Sequence, residues 1–459
     1  MSNPRSGIYK QAKINCYTDY ILCRCSGKKR KEMFVLKANE SVKNYPSERR
    51  MYANYTARSI KKVCKEIGPR FAGSEQEKKA IEYMADDLRS CCDEVGMDEY
   101  TVSPMAFLGW IPLSVVLMTV SSLLFFAVAF FNLAWPILFA SLALVLICLF
   151  FIVTEFLFYK ETLDPFMKKK TSYNAYGYRK ASGETKRRII FCGHADSSME
   201  WRFTYYGGPK LVIPVIGGSL VGILVTLVCD IVVIVKSIID PAFVSTNAVD
   251  IISYVLLAFV VVFLCASFFY DKKRIVEGAN DNLTGCFASI AMLKYLADHD
   301  IRFENTEVWA LCAGSEEIGL RGSKAFCEKH GEELGDVETV FIALDTIRDF
   351  DFMAIYNKDM TFTVNNDADV CNLIKAGGKI AGYDLPFKPV SLGATDAAAV
   401  TKSKCGIKAA AFAAMDPAPA RYYHTRLDTH ENLDLKTIEA GVDICLETLF
   451  LYDEKGLDV

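Results

Sequence analysis

The sequence predicts an α/β domain interrupted twice by pairs of membrane-spanning helices. Four apolar runs, each long enough to cross a bilayer, lie between positions 107 and 270. Elsewhere, short β-prone runs alternate with segments of helical spacing. Several of those β-prone runs end directly in histidine or acidic residues. A chain of 459 residues exceeds what one core needs, so one large domain plus an addition is expected. Hydrophobic residues make up 52% and the mean hydropathy is +0.19, and the long apolar runs account for that excess.

Met1 to Lys31 is polar and basic, ending in Lys28-Lys29-Arg30-Lys31, with no apolar signal core. Residues 1–45 are read as a poorly ordered tail. The net charge of −3 argues against a nucleic-acid partner. The 16 cysteines are scattered, some within apolar runs, and form no C-x-x-C pair. That argues against a zinc ribbon and favours free thiols in a reducing compartment.

From Tyr55 to Cys91 the pattern is helix, turn, helix: Ala57, Ile60, Val63 and Ile67 recur at helical spacing, Pro69 to Ser74 interrupts, and Ala80 to Leu88 resumes. The first hairpin (105–160) joins Phe107–Phe131 to Ala134–Tyr159, with Trp110, Trp135 and Tyr159 near the interfaces. The second (209–271) joins Leu211–Val235 to Val249–Tyr270. Soluble cores of this size do not need four such runs. The hairpin bases carry Lys160, Lys168, Lys169, Lys170, Lys210, Lys272, Lys273 and Arg274, against Lys236 alone at the tips. The positive-inside rule therefore predicts a multi-pass protein of the cell membrane with its polar domain in the cytoplasm. Asp230, inside the third run, is a functional candidate by default. Its position toward the tip favours a plainer reading, in which it reaches interfacial water.

The remaining segments, 46–104, 161–208 and 272–459, form one domain in this reading. Arg188 to Cys192 is a buried strand followed by Gly193-His194-Ala195-Asp196. A histidine there can bind a metal, and a carboxylate two residues on can fix its tautomer. Asp281 lies in Glu277-Gly-Ala-Asn-Asp-Asn-Leu-Thr-Gly285 and is suited to bridge two metals. Val308 to Cys312 precedes Gly314-Ser-Glu316-Glu317, where one glutamate can bind metal while its neighbour takes a proton from water. Val340 to Leu344 ends in Asp345, and Tyr422-Tyr423-His424-Thr425 precedes Asp428. Each piece alone is weak; the ordered set at strand ends, where open α/β sheets place their sites, carries the weight.

That order resembles the dizinc aminopeptidase family, the leucyl-aminopeptidase-like exopeptidases that include glutamate carboxypeptidase II and the glutaminyl cyclases. The resemblance rests on "IGPRFAGSEQEKKAIEYM", "GHADS", "EGANDNLTG", "GSEEIGLRGS", "LDT" and "YYHTRLDTHENLD". It implies a central mixed sheet flanked by helices and two divalent ions, zinc being the expected metal. His194, Asp281 and Asp345 would hold one ion, and Asp281, Glu317 and His424 the other. By the same resemblance Glu316 is the general base, Asp196 orients His194, Tyr423 serves the oxyanion, and Asp281-Asn282 falls where a cis peptide is common. The implied substrates are peptides with a free N-terminus. Two departures stand out. The spacing from His194 to Asp281 is long because the second hairpin fills it, which brings membrane close to the active-site loops. The later motif reads Gly393-Ala-Thr-Asp396 where an Asp-His pair is usual. A glutaminyl-cyclase-like activity or a receptor role is the alternative, and the intact ligand set argues against both. A transport role is disfavoured because four spans with few polar groups make a poor path.

Overall fold

A computed structural model describes residues 37–459, apart from 132 and 419. Most of the expected N-terminal tail lies outside these residues. Its last part belongs to the fold: Ala38–Ser41 is helical, Ala38 is fully buried, and the Ala38 and Asn39 N–H groups donate to Glu447 at 3.0 and 2.9 Å. The tail boundary expected near Tyr45 is therefore too late. Polar composition hid an anchor that a carboxylate more than 400 positions away supplies.

Among the described residues the centre is a nine-stranded mixed sheet in the order β1-β2-β6-β3-β7-β11-β8-β10 (β10 being Phe387–Pro389), with β9 (Val364–Asn365) paired to β8. Its parallel heart comprises β6 (Thr306–Ala313), β3 (Arg187–His194), β7 (Glu338–Ile347) and β11 (Lys408–Ala414). Strand β3 pairs on both edges, and Ile189 to Cys192 are fully buried, so its sequence runs continuously apolar instead of alternating. On one edge, β2 (Lys170–Arg179) and β1 (Glu94–Val102) add antiparallel. On the other, β8 (Met353–Asp359) joins β11 antiparallel. Helices cover the faces, among them the fully buried side of Leu283–Asp298. Ser74 opens the helix Glu75–Arg89 by accepting from the Glu77 N–H at 3.1 Å, a cap worth about 1 kcal/mol.

The two insertions form a four-helix bundle. Helices Trp110–Phe130, Trp135–Leu157, Pro209–Ile239 and Asn247–Ala266 are each long and apolar enough to cross a membrane. The second begins as a 3-10 turn and ends in a π turn. The first packs against the second and fourth, and the third against the fourth and second. Val116, Phe150, Leu224 and Val261 are exposed on the four outer faces, an apolar band that water would not tolerate. Asp230 departs from expectation. It is fully buried inside the bundle and accepts from the Ser141 hydroxyl at 2.9 Å, so it does not reach interfacial water. Helix packing around it, which sequence position does not show, removed that route.

The bundle base and the sheet-bearing part of the domain meet at β4 (Met199–Trp201) and β5 (Tyr270–Ile275), an antiparallel ribbon flanking the second insertion. Ile111, Met199, Phe269 and Tyr270 pack there with Trp201.

Candidate metal centre

Residues at the carboxyl ends of the four parallel strands and from the loop before the helix Leu283–Asp298 converge on one point. His194 ends β3, opposite Ala313 of β6. Gly193 allows this, because a Cβ there would lie 2.2 Å from the Cys286 backbone nitrogen on the helix that follows Asp281. Glu316 and Glu317 follow β6 through Ser315, held at φ +54° by the buried Glu77, which accepts both its N–H (2.7 Å) and its hydroxyl (2.9 Å). Asp345 lies near the end of β7, and Thr346 Oγ1 donates to its Oδ1 at 3.1 Å. Asp281 comes from the loop before the helix Leu283–Asp298, and its bond to Asn282 is cis. His424 comes from the loop after β11 at φ +52°.

The sequence-selected residues come together. His194, Asp281 and Asp345 present one ligand atom each within 4.8 Å of one another, and so do Asp281, Glu317 and His424. The two groups share Asp281 through different oxygens: Oδ1 is 3.2 Å from His194 Nε2, and Oδ2 is 3.0 Å from His424 Nε2. Glu317 Oε2 is 3.1 Å from His424 Nε2, and Glu316 Oε2 is 3.6 Å from His194 Nε2. Tyr423 stacks on the His424 ring at 3.9 Å.

The electrostatics of this cluster favour cations. Burial pushes Asp345 up to about 7, and the charge of Asp281 adds to it. Burial also raises Glu316 well above the usual carboxylate range, against the pull of His194 and with the help of Asp396, Glu317 and Asp345. Burial opposes the charged form of His424, but Glu317 and Asp281 overcome it and raise the imidazole to about 10. Burial opposes ionisation of Asp281 too, and the two histidines reverse that, holding it well below its ordinary value. Glu317 Oε1 and Asp281 Oδ2 are buried without an aligned donor. Several carboxylates gathered in a dry site with orphaned oxygens are costly unless positive charge neutralises them. A nitrogen-oxygen donor set of this kind suits zinc.

One expected partnership differs in detail. Asp196 Oδ1 stands 3.4 Å from His194 Nδ1, which has no aligned acceptor. The same carboxylate accepts the backbone N–H groups of Glu316 and Glu317 at 3.0 and 3.1 Å, so it mainly fixes the glutamate loop. Asp396 is buried, accepting from the Ser323 hydroxyl and lying 3.6 Å from Cys192 Sγ, which places it behind the centre.

Three supports went unread in the sequence. Arg70, fully buried, donates to the carbonyls of Ala195 (2.7 Å), Glu277 (2.7 Å) and Gly278 (2.9 Å), tying the His194 loop to the Asp281 loop. An arginine between Pro69 and Ala72, in a segment expected to turn, was the available signal. Asp428 accepts the N–H groups of Asn280 (2.8 Å) and Asp281 (3.1 Å), aiming the shared ligand. Ser198 Oγ lies 3.2 Å from His424 Nδ1. The ribbon flanking the second insertion also touches the centre: the Trp201 backbone N–H donates to the His424 carbonyl at 2.8 Å, and the two rings meet edge-on at 4.6 Å.

Residues 262–449 match peptidase family M28. The match starts within the fourth bundle helix and contains Asp281, Glu316, Glu317, Asp345 and His424; His194 lies before it, across the second insertion. The fold is similar to an aminopeptidase from Aneurinibacillus sp. strain AM-1, at 14% identity and TM-score 0.51, covering 89% of this chain and 95% of that one. It is also similar to a zinc aminopeptidase from Bacillus subtilis, at 14% identity and TM-score 0.50, covering 88% and 95%. A glutaminyl cyclase from an Acidobacteriales bacterium aligns at 13% identity and TM-score 0.49, covering 94% and 100%. At such identities the likeness is one of fold.

Proposed function

We propose that this chain, a member of peptidase family M28, is a membrane-anchored metallo-aminopeptidase that removes N-terminal residues from its substrates. The observation that carries the reading is the pair of three-residue ligand groups joined through Asp281, with Glu316 beside them. In this proposal His194, Asp281 and Asp345 hold one ion, and Asp281, Glu317 and His424 hold the other. Zinc is the expected metal, as in the B. subtilis enzyme of similar fold. Such ions, when bound, acidify a water molecule and polarise the scissile carbonyl.

The chain's own residues do the rest. Glu316 Oε2 accepts the proton of the attacking water and returns it to the departing amine nitrogen. Its buried, acid-rich setting raises its proton affinity, as that exchange requires. Asp196 and Ser315 keep Glu316 and Glu317 on separate paths by fixing the backbone between them. Tyr423 serves the developing oxyanion. Asp428, Arg70 and Ser198 hold the ligands in place, acting through them and not on the substrate.

The test is purification of the full chain in detergent, metal quantification and assay against aminoacyl-arylamides. Two equivalents of zinc, with amino-acid release that stops on chelation and returns with zinc, are expected. Metal-loaded protein that cleaves no aminoacyl amide would overturn the proposal.

The four apolar helices are proposed to span the cell membrane, with the catalytic domain in the cytoplasm and the hairpin tips opposite. The eight basic residues at the bases, against Lys236 at the tips, support this orientation. A lone reporter cysteine at Asp240 should react with an impermeant thiol reagent on intact cells, and one at Lys186 should not. The reverse pattern would invert the topology.

A further inference from the structure

Two cavities meet at the candidate centre, and their chemistry is opposite. Glu316, Glu317, Tyr423 and His424 line both. The smaller, about 40 Å³, adds His194, Asp281 and Asp345 and is closed by sheet-end residues including Tyr356 and Met415. The larger, about 170 Å³, leaves the centre in the other direction and runs between the bundle helices. It touches the first helix from Trp110 to Met118, the second at Ile152, the third as far as Ile223 and the fourth at Phe263. Eight residues along the first helix correspond to about 12 Å of depth. Part of the binding space of a hydrolytic centre therefore lies within the apolar layer. The departure at Gly393-Ala394 belongs here: both residues line the large cavity near the centre and leave it open.

The walls select what can fill that space. An extended peptide would place about three or four residues in such a depth. Its amide groups would face Met118, Ile152, Ile223 and Phe263, all buried and without polar atoms that bond strongly. The polar groups on the wall do not make up for this. Ser219 is already bonded to the Val215 carbonyl at 2.7 Å, and Ser198 lies against His424. Of the wall's own donors, the Trp110 indole N–H and the Ser114 hydroxyl are the buried ones without a partner. Unpaired amides in such surroundings are strongly disfavoured, whereas a hydrocarbon chain needs no partner. The small cavity has the contrary preference. It is lined by the polar and ionisable side chains of the centre itself, and its size admits only a small group beside them.

We propose that the substrates are amide lipids: a small aminoacyl group with a free amine, held in the acidic cavity, joined by the scissile amide to an amine whose long alkyl chain lies in the bundle cavity. The proposal rests on the aminopeptidase reading and specifies its substrate. Hydrolysis adds water across the amide. The C–N bond breaks, the carbonyl carbon gains oxygen from water, and the alkylamine leaves with the proton that Glu316 carries; no redox partner is needed.

The test uses full-length, zinc-loaded protein in nanodiscs and a series of alanyl n-alkylamides, with rates referred to the free aqueous concentration of each. Each added methylene should raise kcat/KM about fourfold until the chain outgrows the cavity, after which the gain stops. Ser114→Phe and, independently, Ile223→Trp should move that limit to shorter chains. Val116→Phe, on the lipid-facing side and 59% exposed, should not move it. Metal-depleted protein gives a second readout, because displacement of a fluorescent lipid by plain alkylamines should show the same length limit and the same shift in Ser114→Phe. Equal kcat/KM at all chain lengths, or faster cleavage of apolar tripeptides than of alkylamides, would overturn the lipid inference while leaving the aminopeptidase reading intact. Failure to cleave any alanyl amide, with the length limit retained in alkylamine binding, would overturn the aminopeptidase reading and support the cavity's occupant.

Discussion

Two buried aspartates, one in the domain and one in the bundle, show how differently the molecule treats a carboxylate removed from water. Asp281 is 4% exposed and Asp230 fully buried, so burial does not separate them. Their neighbours do. Asp281 faces an imidazole with each oxygen, is aimed by Asp428, and sits among Glu316, Glu317 and Asp345. Asp230 accepts from the Ser141 hydroxyl, itself within 2.8 Å of Ser121 on the adjacent helix. The first arrangement concentrates negative charge around orphaned oxygens and asks for cations. The second spends one polar side chain on joining three helices. A buried acid thus points to chemistry when other ionisable groups surround it, and to packing when hydroxyls do.

Changing the group that handles the proton should separate the two regions most sharply. Glu316→Gln keeps the size of the side chain and removes the base. Turnover should fall by about 10²–10⁴-fold, the usual worth of a positioned base, with metal content unchanged. Measuring zinc and kcat on the same preparation checks this. A variant retaining full activity would remove Glu316 from the role assigned to it.

Metal stoichiometry gives the next effect. Asp281→Asn should weaken both ions, because each Asp281 oxygen faces a different ligand group. His424→Ala should mainly empty one site, because His424 belongs to one group. Second-sphere precedent puts even indirect losses at about 10–100-fold in affinity, so a direct ligand should exceed that. Two tightly held ions per chain in Asp281→Asn would contradict the shared-ligand arrangement.

The contrast also shows what one sequence can reveal. The convergence of these residues was legible because most of them stand in a short local signature after a strand-like run, and the strands converge by the ordinary geometry of an open sheet. The four bundle helices were legible because their length and apolar composition are both local features of the chain. What escaped depends on contacts between distant segments. Arg70 ties two loops more than 100 positions away, and nothing local marks its three distant carbonyl partners. The helical anchor at Ala38 depends on Glu447, and the role of Asp428 on a loop near Asn280. The cavity between the helices has no motif at all, since its residues are ordinary apolar residues that happen to stop short of one another.

The smallest effect belongs to Asp230, and it tests the comparison from the other side. Asp230→Asn preserves side-chain size and still offers an oxygen to Ser141. If hydroxyl bonding is its whole task, stability should change by less than about 1 kcal/mol, since interhelical hydrogen bonds in membranes average about 0.6 kcal/mol. Hydrolytic activity and metal content should stay near those of the parent. Asp230→Leu should cost somewhat more, because the Ser141 and Ser121 hydroxyls would then have to pair with each other alone. Reversible unfolding in mixed micelles, with activity measured in parallel, reads both quantities. A loss of turnover above tenfold in Asp230→Asn, with both ions retained, would mean that the bundle carboxylate works with the centre. The division between charge-gathering and helix-joining aspartates would then fail. The distance argues against that outcome: Asp230 lies seven residues beyond Ile223, about 10 Å farther along the helix than that cavity contact. At that depth a carboxylate reaches its neighbours on the adjoining helices and no part of the reacting amide.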